Sequence, residues 1–184
     1  MVRNVDKFIP VVVINNFSQI KNIFSAFLEK GFNSAEITFR SEYAAKAIAY
    51  GVSRFPHMNI GAGTILNSVQ CETALKAGAK FIVSPGLSKD VAMICKQNGI
   101  PYYPGCVTPT EIMEAAELGI KVVKFFPSSV YGGINAIKAF RGPFPQIKFI
   151  PSGGISRENL DEYLALDNVV AVGGSFFVDE ALNS

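Results

Sequence analysis

Two stretches of this sequence carry side chains suited to chemistry on a carbonyl compound. The first holds Lys124, in Lys121-Val122-Val123-Lys124-Phe125-Phe126-Pro127. Read as a strand, it puts Val122, Lys124 and Phe126 on one face, with large apolar neighbours around the amine. Such surroundings penalise the ammonium and favour a neutral amine able to attack a carbonyl. A snorkelling or ion-paired lysine is the bland alternative, and Lys121 at the other end of the run fits that role. The second stretch is Ser34-Ala35-Glu36-Ile37-Thr38-Phe39-Arg40. Strand alternation gives Ala35, Ile37 and Phe39 one face and Ser34, Glu36, Thr38 and Arg40 the other. If the polar face points inward, its carboxylate and guanidinium each cost several kcal/mol to desolvate unless paired or wetted by a ligand site. A catalytic or substrate-binding pair accounts for that cost better than a buried structural Glu–Arg pair.

Glycine-rich turns add a possible anion site. Pro151-Ser152-Gly153-Gly154-Ile155 and Gly173-Gly174-Ser175 each follow a candidate strand and offer bare backbone N–H groups. One Gly-Gly is usually just a tight turn. Two of them after the seventh and eighth strands match the phosphate-binding positions of βα barrels. Gly61-Ala62-Gly63-Thr64 and Ser84-Pro85-Gly86 are further small-residue turns that would keep a mouth open, with Thr64 offering a hydroxyl. Cys106 reads as a packed thiol, and His57, between Pro56 and Met58, as a surface residue.

The elements that must position these groups alternate along the chain. Strand patterns run near Phe8–Ile14, Ser34–Phe39, Asn59–Gly63, Lys80–Val83, Ile100–Tyr103, Lys121–Phe126, Ile147–Ile150 and Val169–Val172. Helical patterns lie near Ser18–Lys30, Glu42–Arg54, Ser68–Ala77, Ser88–Gln97, Pro109–Leu118, Ile134–Phe140 and Ser156–Leu166. Ser18, Ser68, Ser88, Thr108 and Ser156 are the expected N-caps, and Gly31, Gly78, Gly99 and Gly119 the expected stops. Strict βα alternation allows an open doubly wound sheet or a closed barrel, and eight units favour a single-domain (β/α)8 TIM barrel over residues 1–184. The helix expected after the eighth strand is missing in this reading, because only Phe176–Ser184 remain.

Composition bounds the rest. The 184 residues are 49% hydrophobic and 17% charged, enough for a buried core and unlike a disordered chain. A net charge of +2 with no basic run argues against nucleic acid or an anionic membrane as partner. The longest apolar stretch is interrupted by Pro10 and too short to span a bilayer. No signal-peptide pattern opens the chain. Cys71, Cys95 and Cys106 stand apart with no CxxC pair, which points to reduced thiols in a cytoplasmic protein. A single histidine argues against a metal centre, and no cofactor is expected.

Taken in order, Glu36-Ile37-Thr38-Phe39-Arg40, Gly61-Ala62-Gly63-Thr64, Ser84-Pro85-Gly86, Pro104-Gly105-Cys106-Val107-Thr108-Pro109, Lys124-Phe125-Phe126-Pro127, Gly142-Pro143-Phe144, Ser152-Gly153-Gly154-Ile155 and Gly173-Gly174-Ser175 carry a resemblance. The sequence resembles the class I family of 2-keto-3-deoxy-6-phosphogluconate (KDPG) aldolase, also called 4-hydroxy-2-oxoglutarate (KHG) aldolase, over nearly its whole length. The resemblance implies a homotrimeric barrel that splits KDPG into pyruvate and glyceraldehyde 3-phosphate. It implies Lys124 as the Schiff-base lysine and Glu36 as the general acid/base. Arg40 and Thr64 would then hold the pyruvate carboxylate, Phe126 and Pro85 line the pocket, and Ser152, Gly153, Gly154, Gly174 and Ser175 form the phosphate end. Family members usually carry an N-terminal helix below the barrel, a final C-terminal helix, and often a Trp where Phe176 stands, so the ends of this chain look trimmed. The alternatives are a 2-keto-3-deoxy-6-phosphogalactonate aldolase, which Arg40 disfavours, a phosphate-binding barrel isomerase or epimerase, and an inactive truncated paralogue serving as a trimeric binding or scaffold subunit. The short end implies an apolar groove along the first and eighth strands. Either Phe176, Phe177 and Val178 fold back into it or a neighbouring subunit covers it.

Overall fold

The computed structural model describes residues 6–182, over which strands and helices alternate without a break. The order is β1 (Phe8–Val12), α1 (Ile20–Glu29) after a 3-10 turn at Phe17–Gln19, β2 (Ser34–Thr38), α2 (Ala44–Arg54), β3 (Asn59–Gly63) and α3 (Ser68–Lys76). It continues through β4 (Ile82–Val83), α4 (Lys89–Gln97), β5 (Tyr102–Tyr103), α5 (Pro109–Glu117), β6 (Val122–Phe125) and α6 (Gly133–Phe140). It finishes with β7 (Lys148–Pro151), α7 (Arg157–Leu164), β8 (Val172–Gly174) and α8 (Phe176–Leu182). All strand pairs are parallel. Six strands form one ladder in the order β5-β4-β3-β2-β1-β8, and β6 pairs β7. Isolated bridges from Gly105 to Lys124, Phe149 to Val169 and Ser152 to Gly173 join the two groups, which completes the ring of a (β/α)8 barrel. No helix among the described residues is long and apolar enough to cross a membrane.

Strand parity sorts the side chains into two cores. Outward residues such as Val12, Ala35, Ile37, Ile60, Ala62, Val123, Phe125 and Phe149 pack against the helices. Inward residues Ile9, Phe81, Val83, Tyr103, Val122, Ile150 and Ala171 form a separate apolar plug. The plug fills the interior as a barrel requires, so the polar inward residues of β2 and β6 have only the mouth to face.

Helix starts follow side-chain chemistry, with two corrections. Ser88 and Thr108 cap α4 and α5, accepting from Val91 N–H (3.3 Å) and Glu111 N–H (3.3 Å). Asn159 returns its side-chain oxygen to Ser156 N–H at the start of α7 (3.0 Å). The caps expected at Ser18 and Ser68 belong instead to the residues before them. Asn16 accepts from Ser18 N–H and Asn67 from Gln70 N–H, both at 3.0 Å. From an extended backbone the asparagine side-chain oxygen reaches those N–H groups, so Ser68 becomes the first residue of α3 and Ser18 falls inside the 3-10 turn that begins at Phe17.

The expectation of a missing final helix is overturned. Phe176–Leu182 form α8, with Phe177 and Ala181, one turn apart, on its buried face. Phe177 is 1% exposed and packs edge-on against Phe8 (5.5 Å) and Phe32 (5.3 Å). Arg157 clamps the helix from outside with a bidentate bond to Glu180, at 2.6 and 2.7 Å. Two turns suffice because one phenylalanine fills the groove between α1 and β1, as the fold-back alternative required. The expectation about a helix before β1 falls on residues 1–5 and lies outside the described residues. β8 also starts later than expected, so Gly173 and Gly174 lie inside the strand, opposite Ile9 and Pro10, rather than in the turn after it.

Candidate active site

The C-terminal ends of β2 and β6 bring Glu36 and Lys124 together. Lys124 Nζ lies 3.3 Å from Glu36 Oε1 and 3.5 Å from Oε2. Their side chains are only 7% and 5% exposed. The Phe126 ring covers the amine from the rim, with its centroid 4.9 Å away. The buried lysine thus has one carboxylate for a partner and an aromatic face for a wall. A proton can pass between the two groups along an existing hydrogen bond, which is the arrangement a nucleophilic amine with an adjacent acid/base requires.

Glu36 reaches this position because β3 makes room. In register, Glu36 faces Gly61 and Thr38 faces Gly63, so the two positions of β3 nearest the mouth on that face are bare. A Cβ on Gly63 would overlap the Glu36 carboxylate, and one on Gly61 would enter the Phe81 ring. The small residues of the Gly61–Thr64 turn would suffice to keep the mouth open. The structure gives Gly63 a sharper task, and only the register of β2 against β3 could have revealed it.

Arg40 does not point into the barrel, contrary to the expectation from strand alternation. β2 ends at Thr38, and Arg40 lies exposed in the following turn, where its Nε donates to Thr64 Oγ1 (3.2 Å). Thr38, still on the strand, is buried and donates to Val12 O (3.1 Å). The Glu36–Arg40 pair weighed from sequence therefore gives way to Glu36–Lys124, with Arg40 held on the rim by Thr64. Thr64 has φ 56°, a left-handed conformation that a β-branched residue adopts at a cost of ~1–3 kcal/mol. The hydroxyl presented to Arg40 is what that strain secures.

The remaining candidates lie on the same face. Pro85 is exposed beyond β4, and Gly105 packs so closely under its carbonyl that no Cβ fits there. Ser152 is buried, and its N–H donates to Phe125 O (3.0 Å). Gly153 and Gly154 adopt φ 84° and 78°. Gly153 lies against Pro127 and the Phe126 ring, and Gly154 against the Ser129 side chain. Gly174 ends β8, and Ser175 is exposed just before α8. Arg40 and Thr64 thus flank one side of the mouth, and the Ser152–Gly154 and Gly174–Ser175 turns border the other.

Groups outside this set are quiet. Cys106 is fully buried, and burial with the nearby Glu111 and Glu114 pushes its thiol up to about 12, which suits packing rather than attack. His57 is exposed and Lys121 stands at the surface. A cleft of about 570 Å³ between α4 and α5 is lined by Gly99–Tyr103 and Leu118–Val122. It opens at the N-terminal ends of the strands, away from the Glu36–Lys124 pair, and holds no carboxylate.

Known proteins share this arrangement of chain and fold. The family description "KDPG and KHG aldolase" matches residues 2–184. A 2-dehydro-3-deoxy-phosphogluconate aldolase of Haemophilus influenzae is 42% identical over 176 residues, covering 96% of this chain and 83% of that one. The crystal structure of KDPG aldolase from Legionella pneumophila, with pyruvate captured as a covalent carbinolamine, superposes with a TM-score of 0.93 at 38% identity, covering 98% of this chain and 88% of that one. KDPG aldolase of Zymomonas mobilis with 3-phosphoglycerate gives a TM-score of 0.92 at 32% identity, over 98% and 89% of the two chains. This barrel, with a buried lysine–glutamate pair at its mouth and these relatives along nearly its whole length, belongs to the KDPG and KHG aldolase family.

Proposed function

We propose that this aldolase cleaves KDPG to pyruvate and glyceraldehyde 3-phosphate through a Schiff base on Lys124, and accepts KHG as a second substrate. The observation that carries the proposal is the buried 3.3 Å contact between Lys124 and Glu36 at the C-terminal mouth. Lys124 passes its proton to Glu36 and attacks the C2 ketone. A proton from the new ammonium passes to the alkoxide to give the carbinolamine, and Glu36 returns its own proton to that hydroxyl, which leaves as water and gives the iminium. The carboxylate then takes the C4 hydroxyl proton as the C3–C4 bond breaks. The bonding pair flows into the iminium to form the enamine, and the aldehyde departs. Protonation at C3 and hydrolysis release pyruvate and restore the amine. A placed carboxylate in this role contributes ~10²–10⁴-fold in rate.

Arg40 meets the substrate carboxylate with a planar fork that fixes its orientation to the iminium, and Thr64 holds the guanidinium in place. Phe126 and Pro85 wall the pyruvate end. Gly153, Gly154 and Ser175 receive the phosphate through backbone N–H groups, and Ser152 and Gly174, tied into the strand ladder behind them, hold the two turns in place. The iminium is the electron sink, so the proposal requires no metal or other cofactor. A homotrimer in the cytoplasm is part of the same proposal, on the strength of the resemblance and the unpaired cysteines. The test is a coupled assay of aldehyde release from KDPG and from KHG with and without EDTA. Turnover unaffected by chelation supports the reading, and no release from either substrate, or loss on chelation with rescue by a divalent ion, contradicts it.

A further inference from the structure

The chain leaving β6 stays laced to the chain leaving β7. Ser128 N–H donates to Ser152 O (2.8 Å) and Ser129 N–H to Gly153 O (3.1 Å). The Ser129 side chain occupies the space a Cβ on Gly154 would need. Beneath this double loop, the Ser128 hydroxyl is fully buried and lies 3.0 Å from the hydroxyl of Tyr163, itself 4% exposed, on α7. Ser128 also anchors the turn into α6, since its carbonyl accepts from Tyr131 N–H (3.2 Å) and Gly133 N–H (2.8 Å). At Gly133, with φ 52°, an added Cβ would stand 2.8 Å from the Tyr163 hydroxyl. One phenol thus touches both ends of the β6–α6 loop, from the helix into which the Ser152–Gly154 turn leads.

We infer that Tyr163, acting through Ser128, is a positioning residue that holds the Ser129/Gly153–Gly154 rim in shape and so sets the preference for a phosphorylated substrate. The inference rests on the proposed function, which places phosphate at that rim. The two hydroxyls bond to each other and Lys124 to Glu36, with no hydrogen bond between the two pairs, so the chemistry at C2 does not pass through them. Loss of the contact frees the rim to relax, and the penalty falls on the end of the substrate that needs backbone N–H groups in register. One neutral hydrogen bond corresponds to roughly two- to tenfold in an equilibrium constant.

The experiment compares the wild type with Tyr163→Phe, Ser128→Ala and the double variant. KM and kcat are measured for KDPG and for the unphosphorylated KHG. Half-saturation by pyruvate in borohydride trapping serves as a second phosphate-free reference. The expected result is a KDPG KM raised roughly two- to tenfold in each single variant, with the double variant no worse than the worse single. KDPG kcat, the KHG constants and pyruvate trapping stay within about twofold, below the effect of one such bond. An unchanged KDPG KM in both single variants overturns the inference. So does a parallel rise for phosphorylated and unphosphorylated substrates alongside a lowered Tm, the mark of a merely structural contact. A wild type that cleaves neither substrate overturns the functional reading and this inference with it, a failure distinguishable because it shows before any variant is made.

Discussion

Glu36 can lean over β3 toward Lys124 only because position 63 carries no side chain. A Gly63→Ala substitution puts a methyl where the carboxylate lies. The carboxylate is the flexible end of a long side chain and can swing away at modest cost in stability, but only by leaving the amine. The variant is therefore expected to fold with little change in Tm and to lose turnover comparably to Glu36→Gln, by roughly 10²-fold or more. Steady-state kinetics and a melting curve on both variants check this, and normal turnover in either removes Glu36 from proton transfer. Much at this scale was readable beforehand. Alternation alone put Glu36 and Lys124 on inward faces, because it depends only on the two-residue repeat of a strand. What it could not read was where β2 stops. One residue past the strand the alternation lapses, so Arg40 went to the rim rather than the interior. Nor does any sequence signal announce the left-handed Thr64, since its conformation is imposed by the surrounding turn.

At the scale of elements, local chemistry predicted starts and stops better than strand lengths. α5 is the clearest case. Thr108 and Glu111 form a capping box, and the Glu111 carboxylate accepts from Val107 N–H (2.8 Å), Thr108 N–H (2.9 Å) and the Thr108 hydroxyl (2.9 Å). Burial pushes Glu111 up, but these three donors outweigh it and hold the group below its ordinary value of 4.5. A depressed folded-state value means the contribution is present above the unfolded value and lost as pH falls through the folded one. Thr108→Ala should cost about 1 kcal/mol and lower Tm by about 2–4 °C at neutral pH. Glu111→Gln should flatten the fall of Tm with acid below about pH 4.5 relative to the wild type. An unchanged acid slope in Glu111→Gln contradicts this account of the cap. β8 was misplaced for a physical reason too. A Gly-Gly pair reads as a turn, yet here Gly173 is a strand residue whose bareness admits the buried Ser152 side chain.

For the whole molecule, eight βα units in order were enough to foresee the barrel, because short parallel strands with helices between them have few ways to bury both faces. Closure at the end of the chain was harder to read. Counting residues after β8 argued against a helix, whereas packing shows that a two-turn helix with one large aromatic suffices. Phe177 bridges Phe8 of β1 and Phe32 beyond α1, joining the last element to the first. Phe177→Ala should therefore destabilise the protein by about 3–5 kcal/mol, read as a shift in the denaturant midpoint. Removing the exposed Arg157–Glu180 clamp should cost no more than about 1 kcal/mol. If the two losses came out equal, the aromatic bridge would not be what closes the barrel. The networks that only tertiary structure creates, such as Ser128 against Tyr163, had no sequence signal, because the two residues sit on separate elements with nothing in their spacing to link them.

The claim on which the rest depends is that Lys124 forms the imine. Incubation with pyruvate and borohydride, followed by peptide mass mapping, tests it most directly. One reduced pyruvyl adduct on the Lys124 peptide, lost in Lys124→Ala, is the predicted result. An adduct on Lys121, an adduct that survives Lys124→Ala, or none in the wild type would contradict it.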